Sequence, residues 1–288
     1  MRSALLISLA ALLSGAIQPA FAGDRPAEGK IDEPGGIPSG WTLVWADEFD
    51  KDGLPDAAKW DYDTFRNKPG WYNDERQYYS LARLENSRVE KGHLVIETRR
   101  EEMSGESDWG GQAYSSARLV TRGKASWTYG AVEVRAKLPC GRGTWPAIWM
   151  LPSKSNMQWP LDGEIDIMEH VGFDEGVVHG TVHTEAFNHT KNTQKAAQVR
   201  LPDLCQDFHR YQLVWTADSV TIGVDDRSYF RFLNDGEDDK TRWPFFQPQY
   251  LILNTAVGGS WGGAKGIDDT VFPVRMEVDY VRVWQALK

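Results

Sequence analysis

Glu164-Ile165-Asp166-Ile167-Met168-Glu169 sets three carboxylates within six residues of a strand-like apolar run. Two carboxylates flanking one bond are the usual means of cutting a glycosidic link. In a regular strand side chains alternate, so Glu164 and Asp166 share a face while Glu169 points to the other, with Ile165 and Ile167. A lone carboxylate among those core-facing residues would be a costly buried charge. One extra residue, taken up as a β-bulge at Ile167-Met168, returns Glu169 to the face of Glu164 and Asp166. The plainer alternatives are a polar outer face on an antiparallel strand, or an acidic metal-binding rim. Against a polar face, acidic residues are disfavoured in strands and like charges on one face repel.

Several neighbours along the chain could serve such a row. Trp145 and Trp149 lie four apart in Gly143–Leu151, hence on one face of an extended strand, and a short loop separates them from the acidic strand. They read equally as a sugar-stacking wall or as ordinary core. His179 and His183 also share a strand face; a metal site there lacks an evident third ligand, and His183 reads better as a polar contact to a substrate or a carboxylate. The Gly70–Tyr78 stretch mixes aromatic and amide groups in a loop, where binding residues concentrate. The Gly258–Gly263 run carries Trp261 but lacks the Lys-Ser/Thr ending and following helix of a nucleotide loop.

The elements that must hold these residues are strands. Period-two segments recur at His93–Thr98, Ala131–Leu138, Tyr211–Thr216, Tyr250–Ala256 and Arg275–Trp284, and Val220–Val224 with Ser228–Phe232 flank a turn at Asp225-Asp226-Arg227. Helical periodicity of any length is hard to find, with single turns at most at Asp56–Trp60 and around Phe245, so an all-β antiparallel sandwich is expected. Residues 1–22 read as a signal peptide, with Arg2, an apolar stretch Ala4–Ile17 and the Ala20-Phe21-Ala22 cleavage pattern. Export to the periplasm or beyond is therefore expected, with no membrane association of the mature chain. Residues 23–40 read as a flexible tail rich in Pro, Gly and charge, and 41–288 as one domain.

The net charge of −9 argues against nucleic acid as a partner. Thirteen tryptophans instead suit the flat apolar faces of sugar rings. Cys140 and Cys205 are free to pair in an oxidising compartment, although sequence does not show that they are close.

Taken together, these pieces resemble glycoside hydrolase family 16, in its laminarinase-like branch of bacterial endo-β-1,3-glucanases. The matching segments are Leu43–Phe49, Asn73–Tyr78, Trp145–Leu151, Gly163–Glu169, His179–His183 and Val278–Trp284, in family order. The resemblance implies a concanavalin-like β-jelly-roll with a cleft across its concave sheet. It implies a retaining mechanism with Glu164 as nucleophile, Glu169 as general acid/base and Asp166 tuning the nucleophile. Asn73, Arg118, Trp145, Trp149 and His183 match positions lining the glycone side. No cofactor is implied for catalysis, but a structural Ca²⁺ is, held by Asp279 and the carbonyls of Glu48 and Gly92. The polar stretch Glu185–Gln198 looks like a variable loop near the cleft. A monomer acting on β-1,3-glucan is expected. Mixed-linkage β-1,3-1,4-glucan and algal galactan are the alternative substrates, and a non-catalytic glucan-binding protein is the alternative class.

Overall fold

The structure, a computed structural model, describes residues 33–286. The expected signal peptide and the expected tail up to residue 32 lie outside the described residues.

Alternating apolar residues build two stacked antiparallel sheets. The sheet that carries the acidic row has seven strands: β1 (Asp61–Tyr62), β2 (Arg118–Val120), β3 (Thr144–Pro152), β4 (Glu164–His170), β5 (Val177–His183), β6 (Lys195–Arg200) and β7 (Gln249–Val257). Their spatial order is β6-β5-β4-β3-β7-β2-β1, which puts β4 and β3 near the middle. The opposing sheet has nine strands and includes Gly130–Lys137, His209–Trp215 and Val274–Ala286. The predicted hairpin forms in that sheet. Val224 faces Arg227, and Asp225 and Asp226 both take positive φ (49° and 65°), the two-residue turn that matches strand twist.

The inner faces of both sheets share one core. Ile148, Met150, Ile165, Leu251 and Leu253 from the first sheet meet Val132, Val134, Tyr211, Leu213, Val281 and Val283 from the second. Each fully buried aliphatic side chain contributes about 1.5–3 kcal/mol. The outward face of the first sheet is then free to carry the polar and aromatic row.

Two segments depart from the sequence reading. Residues 33–34, read as part of the tail, pair with Arg227 and Ser228 as an added edge, and Gly35 N–H donates to the Asp226 carbonyl at 2.8 Å. A Cβ on Gly35 would sit 2.4 Å from the Ser228 nitrogen, so only glycine allows this approach. Residues 195–198, read as the end of a variable loop, belong to edge strand β6, whose Lys195 to Arg200 pair with Val182 to Val177. Cys140 and Cys205 form a disulfide with α-carbons 5.8 Å apart, tying the turn before β3 to the loop after β6.

Candidate active site

The bulge lies where the parity of the sequence demands it. On the β3 side Asp166 pairs with Trp149 and Met168 with Ile148, leaving Ile167 as the supernumerary residue. On the β5 side Asp166 pairs with Thr181 and Glu169 with His179. Ile167 and Met168 are both fully buried in the inter-sheet core, although they are consecutive. Glu164, Asp166 and Glu169 consequently share the outward face.

Each carboxylate has its own partners. Trp145 donates Nε1–H to Glu169 Oε1 at 3.1 Å, and Trp159 donates Nε1–H to Glu164 Oε2 at 3.1 Å. His183, opposite Glu164 in the β4–β5 register, places Nε2 3.4 Å from Asp166 Oδ2 and 3.8 Å from Glu164 Oε1. Burial, with the neighbouring His189 second, lowers His183 to about 3, so its imidazole is neutral.

Burial raises all three acids, and mutual repulsion adds to it for Glu164 and Asp166. Asp166 is raised well above the ordinary carboxylate range, by burial first and then by the charges of Glu164 and Glu169. A hydrogen bond shared with Glu164 raises Asp166 and lowers Glu164. Glu164 is itself raised to about 8, by burial first and the charge of Glu169 second, with the Trp159 N–H opposing. Glu169 is raised to about 7, chiefly by burial, with the Trp145 bond opposing and the charge of Glu75 adding. Both acids are thus held well above the ordinary carboxylate range, with burial as the common cause.

The tryptophan pair is wall and not inter-sheet core. Both lie on the outward face, Trp145 among Val171, Ala256 and Trp261, and Trp149 beside Val120, Leu151 and Tyr250. Trp149 donates to Asn254 Oδ1 at 2.7 Å, and Asn254 donates to the Tyr79 hydroxyl at 2.9 Å, which fixes the indole plane. Arg118 is buried between the rings of Trp149 and Trp71, 4.7 and 5.1 Å from their centroids, with Nε 3.2 Å from Asp63 Oδ2. Asn73 is exposed at positive φ, donates to Glu75 Oε1 at 3.4 Å, and its carbonyl accepts from Ser260 N–H at 2.7 Å. The five expected binding residues therefore border the acidic row, with Asn73 on a loop at its rim.

Sequence reasoning passed over three participants. Trp159 sits in an apparently ordinary Gln-Trp-Pro loop. His189, on the polar loop, packs against Trp159 and His183 with ring centroids 5.0 and 5.1 Å away. Glu75 lay within the loop already noted, but nothing local distinguishes its carboxylate. In the structure it accepts from Gln77 Nε2 at 2.9 Å, and its own pKa is raised by burial. Gly259 separates it from the Trp145 ring: a Cβ there would lie 3.3 Å from Glu75 Cγ and 3.4 Å from Trp145 Cζ3. Because the charge of Glu75 raises Glu169, Glu75→Gln is expected to lower the Glu169 pKa. Activity needs protonated Glu169 and is lost as pH rises through that value, so the alkaline limb of the kcat/KM profile should move to lower pH. An unmoved limb would show that the two carboxylates are not coupled.

The side chains at the expected calcium site have partners within the protein. Asp279 Oδ2 accepts from Arg135 Nη1 at 2.6 Å, and its Oδ1 lies 3.7 Å from His93 Nε2. Glu48 accepts both Nε–H and Nη2–H of Arg282 at 2.8 Å. A hard dication wants oxygen ligands; Arg135 engages Oδ2 of Asp279 and not Oδ1, and the Glu48 carboxylate bound by Arg282 is not among the expected donors, whose share there is a carbonyl.

The model of glycosyl hydrolases family 16 matches residues 74–282. The chain belongs to this family. A beta-glucanase of Rhodothermus marinus is 55% identical to this family 16 chain over 252 residues, 85% of each. A solved non-specific endo-β-1,3(4)-glucanase of family 16 superposes with TM-score 0.87 at 56% identity, covering 91% of this chain and 97% of that one. The solved laminarinase of Rhodothermus marinus gives TM-score 0.81 at 55% identity, over 86% and 98%. The family 16 enzyme is accordingly a glycosidase with the jelly-roll sandwich of its relatives.

Proposed function

We propose that the protein is an exported, monomeric endo-β-1,3-glucanase that hydrolyses its polysaccharide with retention. The observation that carries this is the bulge of β4, which brings Glu164, Asp166 and Glu169 to one face between tryptophan walls. Glu164 attacks the anomeric carbon while Glu169 protonates the departing glycosidic oxygen. Water, deprotonated by Glu169, then releases the sugar from Glu164. Asp166 keeps that carboxylate oriented through their shared hydrogen bond, and Trp145 holds Glu169 by its own. Retention calls for carboxyl groups about 5–5.5 Å apart. Their strand positions span about 13 Å at about 3.3 Å per residue, so the side chains must lean together, in keeping with the charge of Glu169 raising Glu164. Trp145, Trp149, Arg118, Asn73 and His183 receive the sugar units on the glycone side.

A second reading, tolerance of mixed-linkage β-1,3-1,4-glucan, is favoured by the likeness to the non-specific endo-β-1,3(4)-glucanase. Incubation with laminarin, barley β-glucan and agarose, with products followed by proton NMR, tests both. Laminarin should yield oligosaccharides whose new reducing ends appear first as the β-anomer. The α-anomer appearing first would rule out double displacement, and release from barley glucan alone would reverse the order of substrates.

A further inference from the structure

Among the described residues, one group of three carboxylate and imidazole donors is spaced for a single ion: Glu164, Asp166 and His183, whose donor atoms all lie within 4.8 Å of one another. Zn²⁺ takes nitrogen at about 2.0–2.1 Å and carboxylate oxygen at about 2.0–2.2 Å in a tetrahedron, which places neighbouring ligand atoms about 3.3–3.6 Å apart. His183 Nε2 is 3.4 Å from Asp166 Oδ2 and 3.8 Å from Glu164 Oε1. The first edge already matches, and the second closes with a shift of a few tenths of an ångström.

An independent observation points the same way. Asp166 is 3% exposed, and its Oδ2, facing the imidazole, is a buried oxygen without a hydrogen-bond partner. Buried polar atoms are nearly always satisfied, so this oxygen is an acceptor waiting for a ligand. Access is open, because the Glu164 side chain keeps 15% of its surface exposed. The register of β4 against β5 holds the set rigid: Glu164 pairs with His183, and Asp166 with Thr181.

We infer that the catalytic floor is a Zn²⁺ site, with Glu164, Asp166 and His183 as three ligands and a cleft water or sugar hydroxyl as the fourth. The ion occupies the carboxylate required as nucleophile, so it inhibits. One imidazole with two carboxylates suits Zn²⁺ and not Ca²⁺ or Mg²⁺, which demand six or more oxygens. The binding claim stands on the ligand geometry; only the competition with glucan rests on the proposed reaction.

Calorimetric titration of ZnCl2 into tag-free protein at pH 6.5, in a non-chelating buffer, tests the binding. One equivalent should bind. His183→Gln and Glu164→Gln, near-isosteric and checked for folding by circular dichroism, should each weaken it at least about tenfold. Equal concentrations of MgCl2 and CaCl2 should give no heat. Absence of binding, or one equivalent retained in both variants, overturns the site. Initial rates on laminarin should show Zn²⁺ inhibition that is competitive and reversed by EDTA. Zn²⁺ binding that depends on His183 and Glu164 but is indifferent to a laminarin oligosaccharide would keep the ion site and count against the glucan reading.

Discussion

Glu169→Gln is expected to lower kcat/KM on laminarin roughly 10²–10⁴-fold, the range that a positioned general acid contributes. The same variant should lose far less on an aryl β-glucoside whose leaving group needs no proton. Glu164→Gln, which removes the nucleophile, should lose about 10⁴-fold or more on both, a barrier increase of about 5.5 kcal/mol. Azide separates the roles. With Glu164→Gly it fills the vacated side and attacks the sugar directly, giving the α-glycosyl azide. With Glu169→Ala it intercepts the covalent intermediate and gives the β-glycosyl azide. Near-wild-type laminarin hydrolysis in either Gln variant, or the two azide anomers exchanged, would reverse the assignment.

Neither Gln variant should unfold the protein. Glu169 is raised in the folded state to about 7 from an ordinary 4.5, mainly by burial. A raised acid lends its stabilisation fully below the unfolded value and loses it as pH climbs through the folded value. Glu169→Gln should therefore melt higher than wild type at pH 8 and gain less at pH 4. Melting curves at the two pH values read this directly.

Removing the disulfide has the largest expected effect on stability. Cys140 and Cys205 close a loop of 65 residues, for which chain entropy gives about 4 kcal/mol. Cys140→Ser with Cys205→Ser should lower the urea-unfolding free energy by that order. A loss below about 1 kcal/mol would show that packing, with the Leu138 N–H to Leu204 carbonyl bond at 3.1 Å, already confines the two loops. Activity of the folded variant at 25 °C should change little, since β3 pairs along its whole length with β7.

What was legible in the sequence was whatever obeys a local rule. The strand parity of Glu164, Asp166 and Glu169 conflicts with a regular strand, and that conflict located the bulge within a residue of Ile167. Trp145 and Trp149 shared a face by spacing, and pairing with β4 turned them into walls. The unread parts depend on contacts distant in sequence. Trp159 reaches Glu164 only because its loop folds back over β4. Glu75 acts on Glu169 from a different segment, and Arg118 is defined by Trp71 and Asp63, neither adjacent to it. Lys195–Gln198 hid its strand character because Ala196 to Gln198 are small or polar and only half-buried at the sheet edge, with no apolar alternation to read. One oxygen of Asp279 is engaged by Arg135 from the adjoining strand, a contact no local motif encodes.

The supernumerary Ile167 has a genetic consequence. Without it, Asp166 still faces Trp149 and Thr181, and Glu169 still faces Ala147 and His179, so both flanks keep their partners. The remaining order Glu-Ile-Asp-Met-Glu alternates as a regular strand does. A single in-frame codon deletion therefore converts the bulged catalytic strand into an unbulged one without re-registering the sheet. Bulged and straight forms of this row stand one mutational step apart, separated by the loss of one buried side chain, about 2–5 kcal/mol, and not by any rearrangement of the fold.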